Sequence, residues 1–378
     1  MTRILITGGG GFIGTSLALA LKDTSKYDVT IVDNYSPQIH GENYKNSELY
    51  NKVKDRINIV VGDIRNRDLM EKLILDTDLI VHLAAETGTG QSMYDIFNYT
   101  DVNVNGTALI LDIIANKARH IKKFIFASTR ALYGEGKYLC DEHGTVYPEQ
   151  RNTQEMEKGD FNVKCPVCNN NVKLVSTTED TKLTPTSVYG ITKQAQEQLI
   201  INVGEALDIP CVGLRYQNVY GPGQSLKNPY TGILSIFSTR IKNNKPINIF
   251  EDGNESRDFV FIDDVINATM LAIEKDDANN QLFNVGTGRA VSVIELVELL
   301  YKEYNEKPNY SVTGNFRIGD IAHNYADLSK IEKLLSFKPT VTFEEGIKHF
   351  VAWVNQQEVQ DDNFDESIEE MKKKGLFK

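Results

Sequence analysis

Short unbroken apolar runs alternate with longer stretches of helical periodicity through the first half of the chain. Arg3-Ile4-Leu5-Ile6, Val29-Thr30-Ile31-Val32, Ile57-Asn58-Ile59-Val60-Val61, Leu79-Ile80-Val81-His82-Leu83 and Phe124-Ile125-Phe126-Ala127 have the length and β-branched content of buried strands. Between them, residues 15–22, 67–75 and 104–117 carry apolar positions at three- and four-residue spacing, as amphipathic helices do. A further helix is predicted over about 187–205, followed by the strand Val212-Gly213-Leu214-Arg215. Strands without polar alternation are covered on both faces, so the pattern predicts an α/β protein built on a doubly wound parallel sheet. From Tyr216 the texture changes to Gly-, Pro- and Asn-rich loops, a basic helix around residues 233–242 and shorter elements. The predicted organisation is a main domain over 1–215, a smaller α/β lobe over 216–355 and a polar tail over 356–378, either a peripheral helix or partly disordered. Residues 134–182 break the α/β rhythm and read as an insertion.

Composition narrows the function classes. A formal net charge of −11 argues against general nucleic-acid binding, which needs a basic face, although a few local arginines can still hold a phosphate. No apolar run approaches the roughly 20 residues that cross a bilayer. The chain passes from Met1-Thr2-Arg3 straight into its first strand, so no membrane association and a cytoplasmic location are expected.

The first turn carries the most specific chemistry. Thr7-Gly8-Gly9-Gly10-Gly11-Phe12-Ile13-Gly14 follows the first strand and opens the first helix. Gly8, Gly11 and Gly14 permit a tight turn, close approach of backbone to a pyrophosphate, and close helix–strand packing. Asp33, with Asn34 beside it, ends the second strand about 20 residues on. A carboxylate there bonds ribose hydroxyls and repels a 2′-phosphate, which predicts a Rossmann-type sheet binding NAD rather than NADP.

These positions resemble the extended short-chain dehydrogenase/reductase family, in its NAD-dependent epimerase/dehydratase group. The resemblance spans residues 1–353 and implies further cofactor contacts at Phe12, Ile13, Asp63, Ile64, Leu83, Ala84, Ala85 and Asn103. In the same frame Ser128-Thr129 closes the fifth strand, and Tyr189-Gly190-Ile191-Thr192-Lys193 opens a helix. A spacing of four puts Tyr189 and Lys193 on one helix face. An ammonium near a phenol stabilises the phenolate, so the pair is expected to take a proton from a substrate hydroxyl while hydride leaves the same carbon. Thr129, with Ser128 beside it, would bond that hydroxyl.

The resemblance also implies a nucleotide-sugar substrate, dTDP- or UDP-linked, contacted by Asn218, Arg257, Arg317 and Arg130. Guanidinium suits a diphosphate because it stays charged and offers forked donors. Dehydratases of the family carry an Asp-Glu pair just after the Ser/Thr, whereas this chain reads Arg130-Ala131. That disfavours water elimination and leaves 4-epimerisation as the expected reaction. The run 221–232 is similar to a subgroup of dTDP-L-rhamnose 4-epimerases. A dehydrating, decarboxylating or reducing sibling stays open, as does a non-catalytic binder, although both Tyr189 and Lys193 are present.

Two further readings concern the insertion and assembly. Cys140-Asp141-Glu142-His143 and Cys165-Pro166-Val167-Cys168 offer four ligands to a structural tetrahedral Zn²⁺, the alternative being free reduced thiols. Cys211 reads as a core residue. The helices over 104–117 and 188–205 would share a sheet face, which in the resembling family forms a homodimer contact, though a monomer's core would need the same periodicity.

Overall fold

The structure, a computed structural model, describes residues 1–230, 232–360 and 362–378. Its centre is a parallel seven-stranded sheet of β1 Thr2–Thr7, β2 Tyr27–Asp33, β3 Asn58–Val61, β4 Leu79–His82, β5 Lys123–Thr129, β6 Cys211–Tyr216 and β7 Gln281–Val285. The spatial order 3-2-1-4-5-6-7 reverses between β1 and β4, and a crevice opens there at the carboxyl ends of the strands. Successive side chains leave a strand on opposite faces, and the core divides accordingly. Ile4 and Ile6 join the apolar cluster containing Leu17 and Val265, whereas Leu5 joins the one containing Ile110 and Ile200. Helix α1 Phe12–Asp23 covers the first face. On the second lie α2 Arg67–Leu75, α3 Gly106–Lys117 and α4 Val188–Leu207.

Two expectations change. The boundary between residues 215 and 216 is crossed by the chain: residues 281–285 return as β7, Gln281 opposite Val212 and Val285 opposite Tyr216. Helix α5 Ile262–Glu274 also packs on α1, so the lobe and the sheet share one core. The segment before α3 is helical from Ile96–Thr100 and passes through a wide π-turn at Asp101–Asn105, rather than starting afresh at 104. The tail forms helix α6 Phe364–Lys373, whose apolar stripe (Phe364, Ile368, Met371) and the following Phe377 are buried against Phe250 and Tyr94. Its polar composition belongs to the opposite, solvated face.

The insertion forms a small antiparallel sheet of Tyr138–Cys140, Gly144–Val146 and Lys173–Leu174. Its core of Tyr138, Val146 and Val163 is completed by Ala322 from the second half of the chain. No described helix is long and apolar enough to cross a membrane.

Candidate active site

Gly8 turns the chain under the loop that follows β4. Its φ is +68°, and a Cβ there would lie 2.6 Å from the Ala84 nitrogen, so only glycine fits. At Gly11 a Cβ would meet nothing closer than 3.4 Å, so the lack of a side chain there serves to keep the crevice open. Gly11 also caps α1 without a capping side chain, and no acid occupies the first turn. Free N–H donors at the positive end of a helix dipole are what the diphosphate of a dinucleotide needs. Asp33 accepts from the Gly10 nitrogen (2.9 Å) and the Tyr35 nitrogen (2.7 Å); burial raises its pKa against these bonds.

Asn34, Asp63, Ile64, Leu83, Ala84 and Ala85 join Gly8, Gly11, Phe12, Ile13, Gly14 and Asp33 around one cavity of about 500 Å³. Asn103 is not among its lining residues. Its buried amide bonds Glu86 in both directions (2.8 and 3.1 Å) and donates to the Thr192 hydroxyl (3.0 Å). An expected cofactor contact is therefore a brace between the loop after β4 and α4. Glu86, which the sequence did not single out, borders the cavity, and burial raises its pKa.

The same cavity continues to Thr129, Tyr189 and Lys193. Ser187 caps α4 by accepting from the Gly190 nitrogen (3.1 Å), which sets the first turn of that helix against the end of β5. Burial raises the Tyr189 pKa, while the Thr129 hydroxyl and the Arg130 guanidinium pull it down. The Arg130 guanidinium thus acts on the phenol as well, a contribution that the four-residue spacing to Lys193 did not reveal.

Lys193 is lowered to about 7 by burial, with Glu197 opposing. Its ammonium donates to the Gln196 side-chain carbonyl. The Gln196 amide continues to Thr107 Oγ1 (2.7 Å) and His82 Nε2 (3.0 Å), and His82 Nδ1 meets Thr7 Oγ1 at 2.6 Å. His82, held down to about 3 by burial and by Lys193, is neutral and serves as a fixed hydrogen-bonding link. Ser128 touches the cavity, but its hydroxyl donates to Glu197 Oε2 (2.6 Å). That carboxylate is in turn bound by the buried Arg215 (2.5 and 3.1 Å). Of the expected hydroxyl pair, only Thr129 acts on Tyr189.

At the far end Arg130 and Asn218 line the cavity, joined by an Nε–Oδ1 bond of 2.6 Å. Arg257 and Arg317 do not border it. Arg257 donates to the carbonyls of Ser256, Ala322 and Ile321 and to Asp320 (2.8, 2.7, 2.6 and 3.1 Å). The Arg317 guanidinium lies 4.9 Å over the Phe250 ring, and its Nε is buried without a partner. Burial pushes the Asp320 pKa up, but Arg257, Arg317, Arg130 and Arg151 together bring it below the usual carboxylate value. Arg151 is neutralised by Glu135 and Glu251. Glu255 is pushed up to about 8 by burial, so it is largely uncharged at pH 7. Three guanidinium groups therefore share one carboxylate, a surplus of positive charge beside Asn218. The Glu135–Arg151–Glu251 bridge joins the insertion to the lobe across long sequence separations, and no local signal announced it. Thr231, within the run 221–232, lies outside the described residues.

The four ligand atoms of Cys140, His143, Cys165 and Cys168 all lie within 4.8 Å of one another. Cys140 and Cys168 sulfurs are 3.7 Å apart, close to the roughly 3.8 Å edge of a tetrahedron with 2.3 Å Zn–S bonds. Cys165 heads a tight turn in which the Asn169 nitrogen donates to its carbonyl (3.0 Å) and the Val167 nitrogen to its sulfur (3.5 Å). Four protein donors would leave no open position for catalysis. Cys211 is buried in β6, as expected.

Fold and site together define a dinucleotide-binding α/β protein of the extended short-chain dehydrogenase/reductase type. Residues 168–286 match the model of the NAD-dependent epimerase/dehydratase family, and residues 5–151 match that of GDP-mannose 4,6-dehydratase. The chain is 37% identical to dTDP-L-rhamnose 4-epimerase of Burkholderia thailandensis, over 94% of this chain and 95% of that protein. Among solved structures, UDP-glucuronic acid 4-epimerase of Bacillus cereus in complex with UDP-glucuronic acid and NAD superposes with a TM-score of 0.76 at 28% identity. UDP-glucose 4-epimerase of Thermotoga maritima with UDP-glucose gives 0.75 at 29%. Both alignments cover 94% of this chain and 99% of the other. The chain belongs to the NAD-dependent epimerase/dehydratase family.

Proposed function

We propose that this protein interconverts two C4 epimers of a nucleotide-linked sugar with NAD held in the glycine cradle. The observation that carries the reading is that Thr129, Tyr189 and Lys193 meet Gly8, Gly11 and Asp33 on one continuous cavity. NAD held there would supply the hydride acceptor and donor for C4. Tyr189 takes the proton of the C4 hydroxyl as hydride leaves and gives it back on return. Thr129 donates to the same oxygen and holds it while it is a ketone. Lys193, fixed by Gln196, adds positive charge at the junction of sugar and cofactor. The keto-sugar turns over before hydride returns to its other face, so configuration inverts without net redox change. Asp33 would hold the adenosine ribose, with Asn34, Asp63 and Ile64 around the adenine.

Arg130-Ala131 after Thr129 favours this over dehydration. The dehydratase match spans only residues 5–151 and stops short of Tyr189. The positive surplus around Asp320 suits a diphosphate, with Arg130 as its contact on the cavity wall and Arg317, half-buried behind that wall, as the further contact the family resemblance implies; Arg257 holds the backbone carbonyls at their back. The relative named above makes dTDP-L-rhamnose the first substrate to try, and the two structures make UDP-sugars the second. Incubation with UDP-, dTDP-, GDP- and CDP-sugars, followed by NMR, should give a mixture of two epimers without added cofactor. Stoichiometric consumption of added NADH, or a 4-keto-6-deoxy product, would sink the assignment.

The Cys140/His143/Cys165/Cys168 group is proposed to hold a structural Zn²⁺, which would fold a loop too small for a core of its own. About one zinc per chain is expected in native protein and none in Cys165→Ser, by elemental analysis. Unchanged zinc in the variant, or none in either, rejects the site.

A homodimer through the α3/α4 face is the proposed assembly. Phe97 and Ile96 are 81% and 53% exposed on the helix beside α4, and Ile191 on α4 itself is 54% exposed, an apolar group that a second copy would cover. Phe97→Glu should shift the molecular mass measured by light scattering from dimer to monomer. A wild-type mass of one chain would remove the proposal.

A further inference from the structure

Residues 376–378 run antiparallel to 316–318 and join them through an isolated β-bridge. The Phe316 nitrogen donates to the Lys378 carbonyl (2.8 Å), the Lys378 nitrogen to the Phe316 carbonyl (3.0 Å) and the Ile318 nitrogen to the Leu376 carbonyl (3.0 Å). These bonds bracket Arg317, which faces Phe377 across the pair. The ring on which Arg317 stacks, Phe250, is itself held by the tail: Phe377 meets it edge-on at 5.0 Å and Phe364 stacks at 6.3 Å. Both the backbone and the stacking partner of Arg317 are therefore set by residues 364–378.

A second contact reaches the cavity wall independently. Glu370 Oε2 accepts from the hydroxyls of Tyr94 (3.1 Å) and Tyr230 (2.9 Å), and Tyr230 lines the cavity. The start of the segment is anchored in the lobe, where the buried Asp362 pairs with Arg240 (3.2 Å) and Lys245 (3.0 Å). Arg317 keeps a buried Nε without a hydrogen-bond partner, while its guanidinium is held over the Phe250 ring and toward the charge of Asp320. A guanidinium in that state delivers its donors to an incoming anion in a geometry chosen beforehand, which reduces the ordering cost of binding.

We propose that the segment 362–378 is a positioning element for the nucleotide diphosphate, acting through Arg317 and Tyr230. It rests on the reading of Arg317 as a diphosphate contact. The segment makes no contact with the glycine cradle among the described hydrogen bonds, so its influence falls on the nucleotide-sugar and not on NAD.

The test uses the NAD-loaded protein, with dTDP and UDP as calorimetric probes. A variant ending at Gly375 loses the three backbone bonds around Arg317, and Phe377→Ala keeps the backbone but removes the ring against Phe250. For whichever probe the wild type binds more tightly, Kd should rise about tenfold in the truncation and about threefold in Phe377→Ala, with bound NAD unchanged. Arg317→Ala provides the reference. If Arg317→Ala weakens the probe while both tail variants bind as wild type, the positioning role is overturned and the Arg317 reading stands. If Arg317→Ala itself binds as wild type, the Arg317 reading fails and takes this proposal with it. Loss of NAD in parallel with the probe would mark the tail as general scaffolding and also overturns the proposal.

Discussion

Tyr189→Phe should lower the rate of epimer interconversion about a thousandfold while the protein still purifies with NAD. The change removes one oxygen from a buried ring and leaves its packing intact, so folding should be unaffected. What is lost is the group that accepts the C4 proton. The phenol is held up by burial and drawn down by Thr129 and Arg130, so wild-type activity should rise with pH as the phenolate forms. That rise should vanish in the residual activity of Tyr189→Phe. NMR time courses across pH measure both. A loss below about tenfold would give proton transfer to another group, and Glu86, on the same cavity, would be next to test.

Glu197→Ala should destabilise the protein by about 3–5 kcal/mol, the largest stability effect expected of a single substitution here. Glu197 and Arg215 are an ion pair with side chains only 4% and 3% exposed. The Ser128 hydroxyl also donates to the same carboxylate. Removing the acid strands a guanidinium in the core and frees a buried hydroxyl. The pair joins α4 to β6, and α4 carries Tyr189 and Lys193, so activity should fall along with stability. Urea unfolding measures the loss, and a change under about 1 kcal/mol would show that apolar packing alone holds the helix.

Arg215 stood in view as the end of a predicted strand, but its partner is 18 residues back on a helix that nothing local ties to it. Arg130 shows the same limit from the other side. Its type and place were plain in the sequence, and its nearness to the sugar was expected. That it acts on Tyr189, 59 positions away, depends on how β5 and α4 meet. Ser128 and Thr129 are adjacent and chemically alike. Alternation along a strand points one toward Glu197 and leaves the other on Tyr189.

What the sequence by itself determined is whatever depends on residues a few bonds apart. That includes the strand–helix alternation, the glycine turn from Gly8 to Gly14 with Asp33 after the next strand, the one-turn spacing of Tyr189 and Lys193, and the pairing of Cys140 with His143 and Cys165 with Cys168. These rest on backbone sterics and on the fixed period of each element, which operate before the chain is folded. Only the tertiary structure decided that β7 returns to the sheet, that Asn103 braces a loop, that Arg257 is spent on carbonyls, and that a polar tail grips Arg317. Each of those outcomes joins groups between 60 and 89 residues apart. Their energies come from desolvation and hydrogen-bond geometry, which exist only once the sheet order has brought the partners together.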